Sequence, residues 1–318
     1  MIVSPRTLGN STLEIYPLVL GGNVFGWTAD ESTSHQVLDS FVARGGNMID
    51  TADSYSFWHD GNRGGESETI IGRWLQERGN RDDVLIATKV SQHPEFTGLK
   101  PATITAGVEQ SLRRLNTDRI DLYYAHFDDA ETPLEESIEA FSELVDSGKV
   151  RYLGISNFSA ARIAEWLRIC EEGGYRSPVV VQKEYSLVER GIEADVLPLL
   201  AEHGVELLTY YSLARGFLAG KYRDGRTDTT SPRAGIAATY LDDRGRRILS
   251  TLDELAAAHG VDVGAVSLAW LLAQPGIAAP IASARNREQL STLFAGAGLS
   301  LSSDEVAALT EASEAEPA

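Results

Sequence analysis

Asn47-Met48-Ile49-Asp50-Thr51-Ala52-Asp53-Ser54-Tyr55 is a short apolar run that stops at a carboxylate and continues as a polar loop. Met48 and Ile49 suit a strand interior, Asp50 stands where that strand ends, and Tyr55 follows five residues on. The same unit, an apolar strand closing on a polar residue and followed by an amphipathic helix, recurs on both sides. Upstream, Leu18-Val19-Leu20 runs into the loop Gly21-Gly22-Asn23, and Ser34–Arg44 follows with Val37, Leu38, Phe41 and Val42 at helical spacing. Downstream, a helix over Ser67–Glu77 leads to the strand Val84–Thr88, which ends at Lys89. The helix Pro101–Leu115 opens on a first-turn proline and leads to the strand Ile120–Ala125, which ends at His126.

The rhythm continues. The helix Leu134–Ser147 precedes the strand Val150–Ile155, which ends at Ser156-Asn157; the helix Ala160–Cys170 precedes Val179–Val181, which ends at Gln182. The helix Glu193–His203 precedes Val205–Thr209, which ends at Tyr210. Residues 211–242 then break the pattern with glycines, Pro232 and few periodic apolar positions, which predicts a long functional loop. Helical patterns resume over Gly245–Ala258 and Val263–Ala273, and a last strand, Ile277–Ala282, ends at Ser283 before the helix Arg287–Ala295. Ser302-Ser303-Asp304-Glu305 predicts a capped terminal helix reaching Ala312, with the final Glu-Ala-Glu-Pro-Ala frayed. Polar and apolar residues alternate on either side of Gly9-Asn10-Ser11, the mark of an N-terminal hairpin.

Alternating strands and helices give the α/β class and a parallel sheet. Eight such units predict a closed (β/α)8 TIM barrel as one domain over 1–318, with an N-terminal β-hairpin, a long loop and extra helix after strand seven, and a C-terminal helix. An open doubly wound sheet is disfavoured, because no Gly-x-Gly-x-x-Gly follows a strand and no Walker A sequence occurs.

Composition excludes several classes. Lys and Arg number 28 against 46 Asp and Glu, a formal charge of −18, which repels polyanions and argues against nucleic-acid binding. A single cysteine, Cys170, permits no intrachain disulfide, fits a reducing cytoplasm and reads as a packing residue. The six histidines are scattered, with neither HxxxH nor CxxC, so no metal site is expected. The N-terminus lacks an apolar signal core and the longest apolar runs fall short of a membrane span. The expectation is a cytoplasmic protein without membrane or nucleic-acid partners, as a monomer or homo-oligomer.

A barrel puts the C-terminal ends of all its strands on one face. Asp50, Tyr55, Lys89 and His126 then come from the neighbouring second, third and fourth strands. Taken one at a time, Asp50 reads as a loop cap, Lys89 as a solvated strand end, His126 as a structural histidine and Tyr55 as a packing aromatic. Together they form a proton-donating site for a carbonyl. A tyrosine, with a reference pKa of about 10, needs an adjacent cation to give and recover a proton near neutral pH. Lys89 is that cation, Asp50 is its counter-ion, and a neutral His126 can orient the substrate oxygen. Asp53 reads as an ordinary loop residue, because nothing else in the chain points to it. A barrel hydrolase or isomerase using Asp50 and His126 is a further reading.

The stretches Asp50-Thr51-Ala52-Asp53-Ser54-Tyr55, Ile86-Ala87-Thr88-Lys89 and Asp121-Leu122-Tyr123-Tyr124-Ala125-His126 carry a resemblance, as does Thr132-Pro133-Leu134-Glu135-Glu136 through Gly148-Lys149-Val150-Arg151-Tyr152-Leu153-Gly154-Ile155-Ser156-Asn157. In order and spacing they resemble the aldo-keto reductase family over essentially the whole chain, and most closely the bacterial branch that also resembles potassium-channel β subunits. The resemblance implies Tyr55 as general acid, with Asp50, Lys89 and His126 completing a tetrad. It implies a nicotinamide cofactor stretched across the barrel mouth, its carboxamide held by Ser156, Asn157 and Gln182 and its ring stacked on Tyr210. Gly22, Asn23, Leu213, Arg215, Gly216 and Lys221 would lie along it, Arg215 and Lys221 toward the pyrophosphate. Ser283 and Arg285 would meet the 2′-phosphate, which favours NADPH over NADH, and Gln289 would lie near the adenine. Two departures stand out: Thr292-Leu293 replaces a frequent Glu-Asn, and Tyr210-Tyr211-Ser212 replaces a commoner Tyr-Ser-Pro.

Trp27, Phe57, Trp58, Phe127 and parts of the loops 91–100 and 214–240 would wall a substrate pocket for an apolar or ring-containing carbonyl compound. The same aromatics also suit plain loop packing. A cofactor-binding regulatory or channel-associated subunit with little turnover is the alternative to a reductase.

Overall fold

The computed structural model describes residues 3–223 and 234–314. The middle of the long loop, including Pro232, and the tail beyond 314 lie outside the described residues. The N-terminal hairpin pairs Arg6–Thr7 (β1) antiparallel with Glu14–Ile15 (β2). The barrel strands are Val19–Gly21 (β3), Met48–Asp50 (β4), Leu85–Val90 (β5), Ile120–Ala125 (β8), Val150–Ser156 (β9), Pro178–Glu184 (β10), Glu206–Tyr210 (β11) and Ile277–Ala282 (β12). They pair in parallel in chain order, and β12 closes on β3. The architecture is the (β/α)8 barrel that the strand–helix alternation predicts.

The period-2 pleat explains why strand ends matter here. Val19, Met48, Ala87, Leu122, Val180, Leu208 and Ala279 fill the barrel interior, and Leu8, Leu13 and Ile15 of the hairpin plug its lower end. Their neighbours Leu20, Ile49, Ile86, Tyr123, Val181 and Leu207 point outward into the core beneath the helices. Two residues beyond each inward position lie Gly21, Asp50, Lys89, Tyr124, Gln182, Tyr210 and Ile281. The alternation therefore delivers the polar strand ends into the upper mouth. Gly154 makes room for this layer, since a Cβ there would meet the Tyr124 ring at 2.5 Å.

Several helices differ from the expected bounds by a turn or less at one end. Glu31–Val42 (α1) begins three residues early because Asp30 caps it, accepting from the Thr33 N–H at 2.8 Å. Glu66–Arg78 (α2), Pro101–Leu115 (α3), Leu134–Asp146 (α4) and Ala160–Gly173 (α5) alternate with the strands as expected. Val196–His203 (α6) is shorter than expected, its first turn being the separate 3-10 turn Gly191–Glu193. Three elements have no counterpart in the sequence pattern. The loop 91–100 folds as a small hairpin, Gln92–His93 (β6) with Phe96–Thr97 (β7). The segment 211–242 holds a 3-10 stretch, Ala214–Ala219, and a short helix, Ala234–Ala238 (α7).

Asp243–His259 (α8) and Val263–Leu272 (α9) follow, and α9 is buried on nearly every side. Arg287–Gly298 (α10) and Ser303–Ala312 (α11) end the chain, α11 behind a Ser302–Glu305 capping box. Cys170 is buried in α5, which pushes its thiol up to about 11 and makes it an inert packing residue. No single helix among the described residues is long and apolar enough to cross a membrane.

Candidate active site

The loop after β4 is bound on three sides. Thr51 N–H and Asp53 N–H donate to the carbonyls of Ala87 (2.8 Å) and Lys89 (3.2 Å), extending the β4–β5 ladder past the strand end. The Thr51 hydroxyl donates to Ser67 Oγ at 2.8 Å, and Ser67 Oγ donates to the Gly22 carbonyl at 2.8 Å. Ser56, in a left-handed conformation (φ 72°), donates its hydroxyl to the Phe25 carbonyl at 2.7 Å. These bonds turn Tyr55 back over the barrel mouth, above Lys89.

Lys89 is fully buried, and its ammonium uses all three N–H groups. It donates to Asp50 Oδ1 at 2.6 Å, to the Thr51 carbonyl at 2.7 Å and to Tyr55 Oη at 2.8 Å. The other Asp50 oxygen accepts from Gln182 Nε2 at 2.8 Å. Tyr55 therefore accepts from an ammonium, while its own hydrogen has only a long contact of 3.4 Å to Asp50 Oδ1. That proton is free to move to an incoming oxygen.

Burial lowers the proton affinity of Lys89, and the Asp50 charge only partly offsets it. Tyr55 is pushed well above the ordinary phenol value, first by burial and then by Asp50. This corrects the expectation that Lys89 brings Tyr55 toward neutral pH. Burial wins over the neighbouring cation, and Tyr55 holds its proton as a donor. A reduction needs that state.

His126 stands across from Tyr55, ring centroids 6.0 Å apart at 71°. Burial, and then the Lys89 charge, hold its imidazole well below the usual value, so it is neutral. Its Nδ1 meets no protein partner among the described residues. Because the ring stays neutral, the kcat/KM profile for carbonyl reduction is expected to be flat between about pH 5.5 and 7.5. A step near the ordinary histidine value, about 6.5, in steady-state assays would contradict this assignment.

Asn157 adopts a positive φ of 61°, which asparagine tolerates. Its Nδ2 donates to the His126 carbonyl (2.9 Å) and Ser156 Oγ (3.0 Å), and its Oδ1 accepts from the Tyr210 hydroxyl (2.7 Å). It thus ties the ends of β8, β9 and β11 together. At the far end, Ser283 Oγ donates to Asn23 Oδ1 at 2.6 Å, Asn286 caps α10, and the Arg285 N–H donates to Gln289 Oε1 at 2.9 Å. Arg215 is engaged on every side: it pairs with Glu184 at 3.1 Å, donates to the Tyr240 hydroxyl at 3.1 Å and lies 3.8 Å over the Tyr211 ring.

One cavity of about 940 Å³ joins the two ends. Asp50, Tyr55, His126, Asn157 and Gln182 line its inner part; Tyr210, Leu213, Arg215, Gly216 and Lys221 its middle; Asn23, Ser283, Arg285 and Gln289 its outer part. Lys89, Gly22 and Ser156 are not part of the wall; Lys89 reaches it through Tyr55 and Asp50. Trp27, Phe57, Trp58 and Phe127 all line the inner end. Trp58 is the hub of this group, edge-on to Trp27 (5.5 Å), Phe57 (5.6 Å) and Tyr55 (6.2 Å).

Sequence reasoning missed Tyr211, which joins the wall, and the contribution of α8 and α9 through Asp253, Val263 and Gly264. The doubled tyrosine at a strand end was the available signal for the first. Nothing in the apolar α9 sequence distinguishes its cavity side. Thr292 and Leu293, the departure noted above, also line the wall, with Thr292 donating to Asp262 at 2.5 Å.

Comparison with known proteins agrees with this geometry. Residues 17–314 match the aldo/keto reductase family. The chain is 35% identical to the aldo-keto reductase YhdN of Bacillus subtilis, over 90% of this chain and 85% of that protein. It is 32% identical to norsolorinic acid reductase B of Aspergillus parasiticus, over 99% and 82% respectively. It is also 32% identical to a probable voltage-gated potassium channel subunit beta of Arabidopsis thaliana, over 90% and 88%. This chain belongs to the aldo/keto reductase family.

Proposed function

We propose that this chain is a cytoplasmic, NADPH-dependent reductase of aldehydes or ketones, with Tyr55 as the general acid. The carrying observation is the Tyr55 phenol, 2.8 Å from the buried Lys89 ammonium and lining the cavity. The donor set fits a nicotinamide dinucleotide: amides at the inner end suit a carboxamide, and Lys221, Arg285 and the opening turn of α10 suit phosphates. When bound, that cofactor supplies hydride to the carbonyl carbon.

The chain's own residues do the rest. Neutral His126 donates a hydrogen bond to the substrate oxygen and orients it. Tyr55 passes its proton to that oxygen as negative charge develops there. Lys89 stabilises the resulting phenolate, and Asp50, held in turn by Gln182, fixes Lys89. The aromatic wall suits a small apolar or ring-bearing carbonyl compound. The test is steady-state oxidation of NADPH with a panel of aliphatic and aromatic aldehydes and ketones; no turnover with any of them would overturn the reading.

The likeness to a potassium channel subunit supports a second reading, a cofactor-binding subunit with little turnover. The same assay separates the two, since that reading requires NADPH binding without appreciable reduction.

Arg285 carries the cofactor preference in this proposal. Arg285→Ala is expected to weaken NADPH binding by about tenfold to a hundredfold, the range of a lost charge-assisted contact. NADH binding should change by less than about twofold, within the range of a surface substitution. Equal losses in fluorescence titrations of the two cofactors would refute a 2′-phosphate contact.

A further inference from the structure

Behind Lys89, between the barrel wall and helices α2 and α3, lies a second cluster of ionisable groups that proton transfer does not use. Thr88 points outward where Lys89 points inward, and its hydroxyl donates to Glu68 Oε1 at 2.6 Å. The other Glu68 oxygen accepts from Arg114 Nε at 2.6 Å, and Glu68 is fully buried. Asp53 turns into this same layer. It lies three residues after Asp50 and two before Tyr55.

Asp53 is 1% exposed, and neither carboxylate oxygen has a hydrogen-bond partner among the described residues. Arg114 Nη2 and Tyr123 Oη are likewise without partners. So Asp53 is not the ordinary loop residue that the sequence suggests. An ionised carboxylate with no hydrogen bonds is strongly disfavoured in a dry interior, and protonation removes the cost.

The groups facing Asp53 come from every neighbouring element. Burial itself and then Glu68 of α2 oppose its ionisation, whereas Arg114 of α3, Lys89 of β5 and, least of all, the neighbouring Ser54 hydroxyl favour it. Tyr123 of β8, fully buried, keeps its own proton, first of all because of that burial. His93 of β6, near Glu68 and Arg114, is pulled below the usual imidazole range by burial and Arg114. The balance holds the Asp53 carboxyl well above its ordinary value.

We propose that Asp53 is a positioning residue for the tetrad: a buried, unpartnered carboxyl behind Lys89 that, kept neutral, leaves Asp50 as the counter-ion of Lys89. This rests on the reductase reading above. Once ionised, Asp53 adds a second negative charge behind Lys89. That charge opposes the phenolate forming on Tyr55, so proton donation slows as pH rises.

Asp53→Asn fixes the neutral form without changing the shape. The alkaline limb of kcat/KM is expected to move up by about one pH unit in this variant. A limb that stays in place overturns the positioning role, which a merely structural residue would not show.

Stability supplies an arm that needs no substrate. The folded-state pKa lies above the unfolded value of about 3.9, so folding is penalised at every pH above that value and not below it. Asp53→Asn should therefore raise the unfolding midpoint at neutral pH, and the gain should vanish in acid. A lowered or unchanged neutral-pH midpoint, or a variant that does not fold, would mean a paired, ionised Asp53 and overturns the proposal. If no carbonyl is turned over, the reductase reading fails and the positioning role fails with it, while the protonation state of Asp53 is still measured.

Discussion

Tyr55→Phe is expected to lower kcat for carbonyl reduction by about 10²–10⁴-fold, the usual contribution of a positioned general acid. NADPH affinity should stay within about twofold, as for a change that removes one atom and no cofactor contact. The reason is geometric. The ring itself packs against Trp58 and His126, and both contacts survive in phenylalanine. The lost oxygen makes one close hydrogen bond, from Lys89 at 2.8 Å, plus the long contact to Asp50. Lys89 keeps its two strongest acceptors, Asp50 and the Thr51 carbonyl. The substitution thus deletes the proton and little else. A fall in kcat with Kd preserved marks a group that acts in the transition state alone. Retained turnover would move the proton donor elsewhere, and His126, neutral and facing the same space, would be the next to test.

The convergence of Asp50 and Lys89 was legible because two simple periods place them. Strand–helix alternation closes the barrel, and the two-residue pleat then turns Asp50, Lys89, Gln182 and Tyr210 inward above a layer of aliphatic side chains. Residues off those periods were not legible. Arg215 and Gly216 take positive φ values of 57° and 102°, so the 3-10 stretch that holds them has no repeating pattern to read. The Arg215–Glu184 pair spans 31 positions, and nothing local to either residue announces it. Asp50 and Asp53 are chemically identical carboxylates in one loop. What separates them is a loop path fixed by the Thr51–Ser67 bond, 16 residues apart, which sends one to Lys89 and the other behind it. The phenol behaved differently from expectation for a similar reason. A sequence supplies the cation beside Tyr55 but not the depth of its burial, and the depth decides the direction.

Lys89→Met should be the most destabilising single change in the site, at about 3–5 kcal/mol, because it leaves a buried Asp50 carboxylate without its cation. Asp50 is 1% exposed and would retain the Gln182 amide at 2.8 Å and the long contact from the Tyr55 hydroxyl at 3.4 Å. Activity should disappear as well, since no ammonium would remain to stabilise the Tyr55 phenolate. Asp50→Asn should cost less stability, because Lys89, already drawn below its ordinary pKa by burial, can lose its charge when its counter-ion goes. The decisive comparison is the double variant Asp50→Asn/Lys89→Met, measured by urea denaturation. With both charges gone and the volume kept, its stability should return to within about 1–2 kcal/mol of the starting protein, since replacing a whole buried ion pair is often close to neutral. It should remain inactive. That outcome would mean the pair holds the catalytic proton in place and adds little to the fold. A double variant as unstable as Lys89→Met alone would make the same pair a structural support of the barrel mouth, and the case for Lys89 as the partner of Tyr55 would then have to rest on kinetics alone.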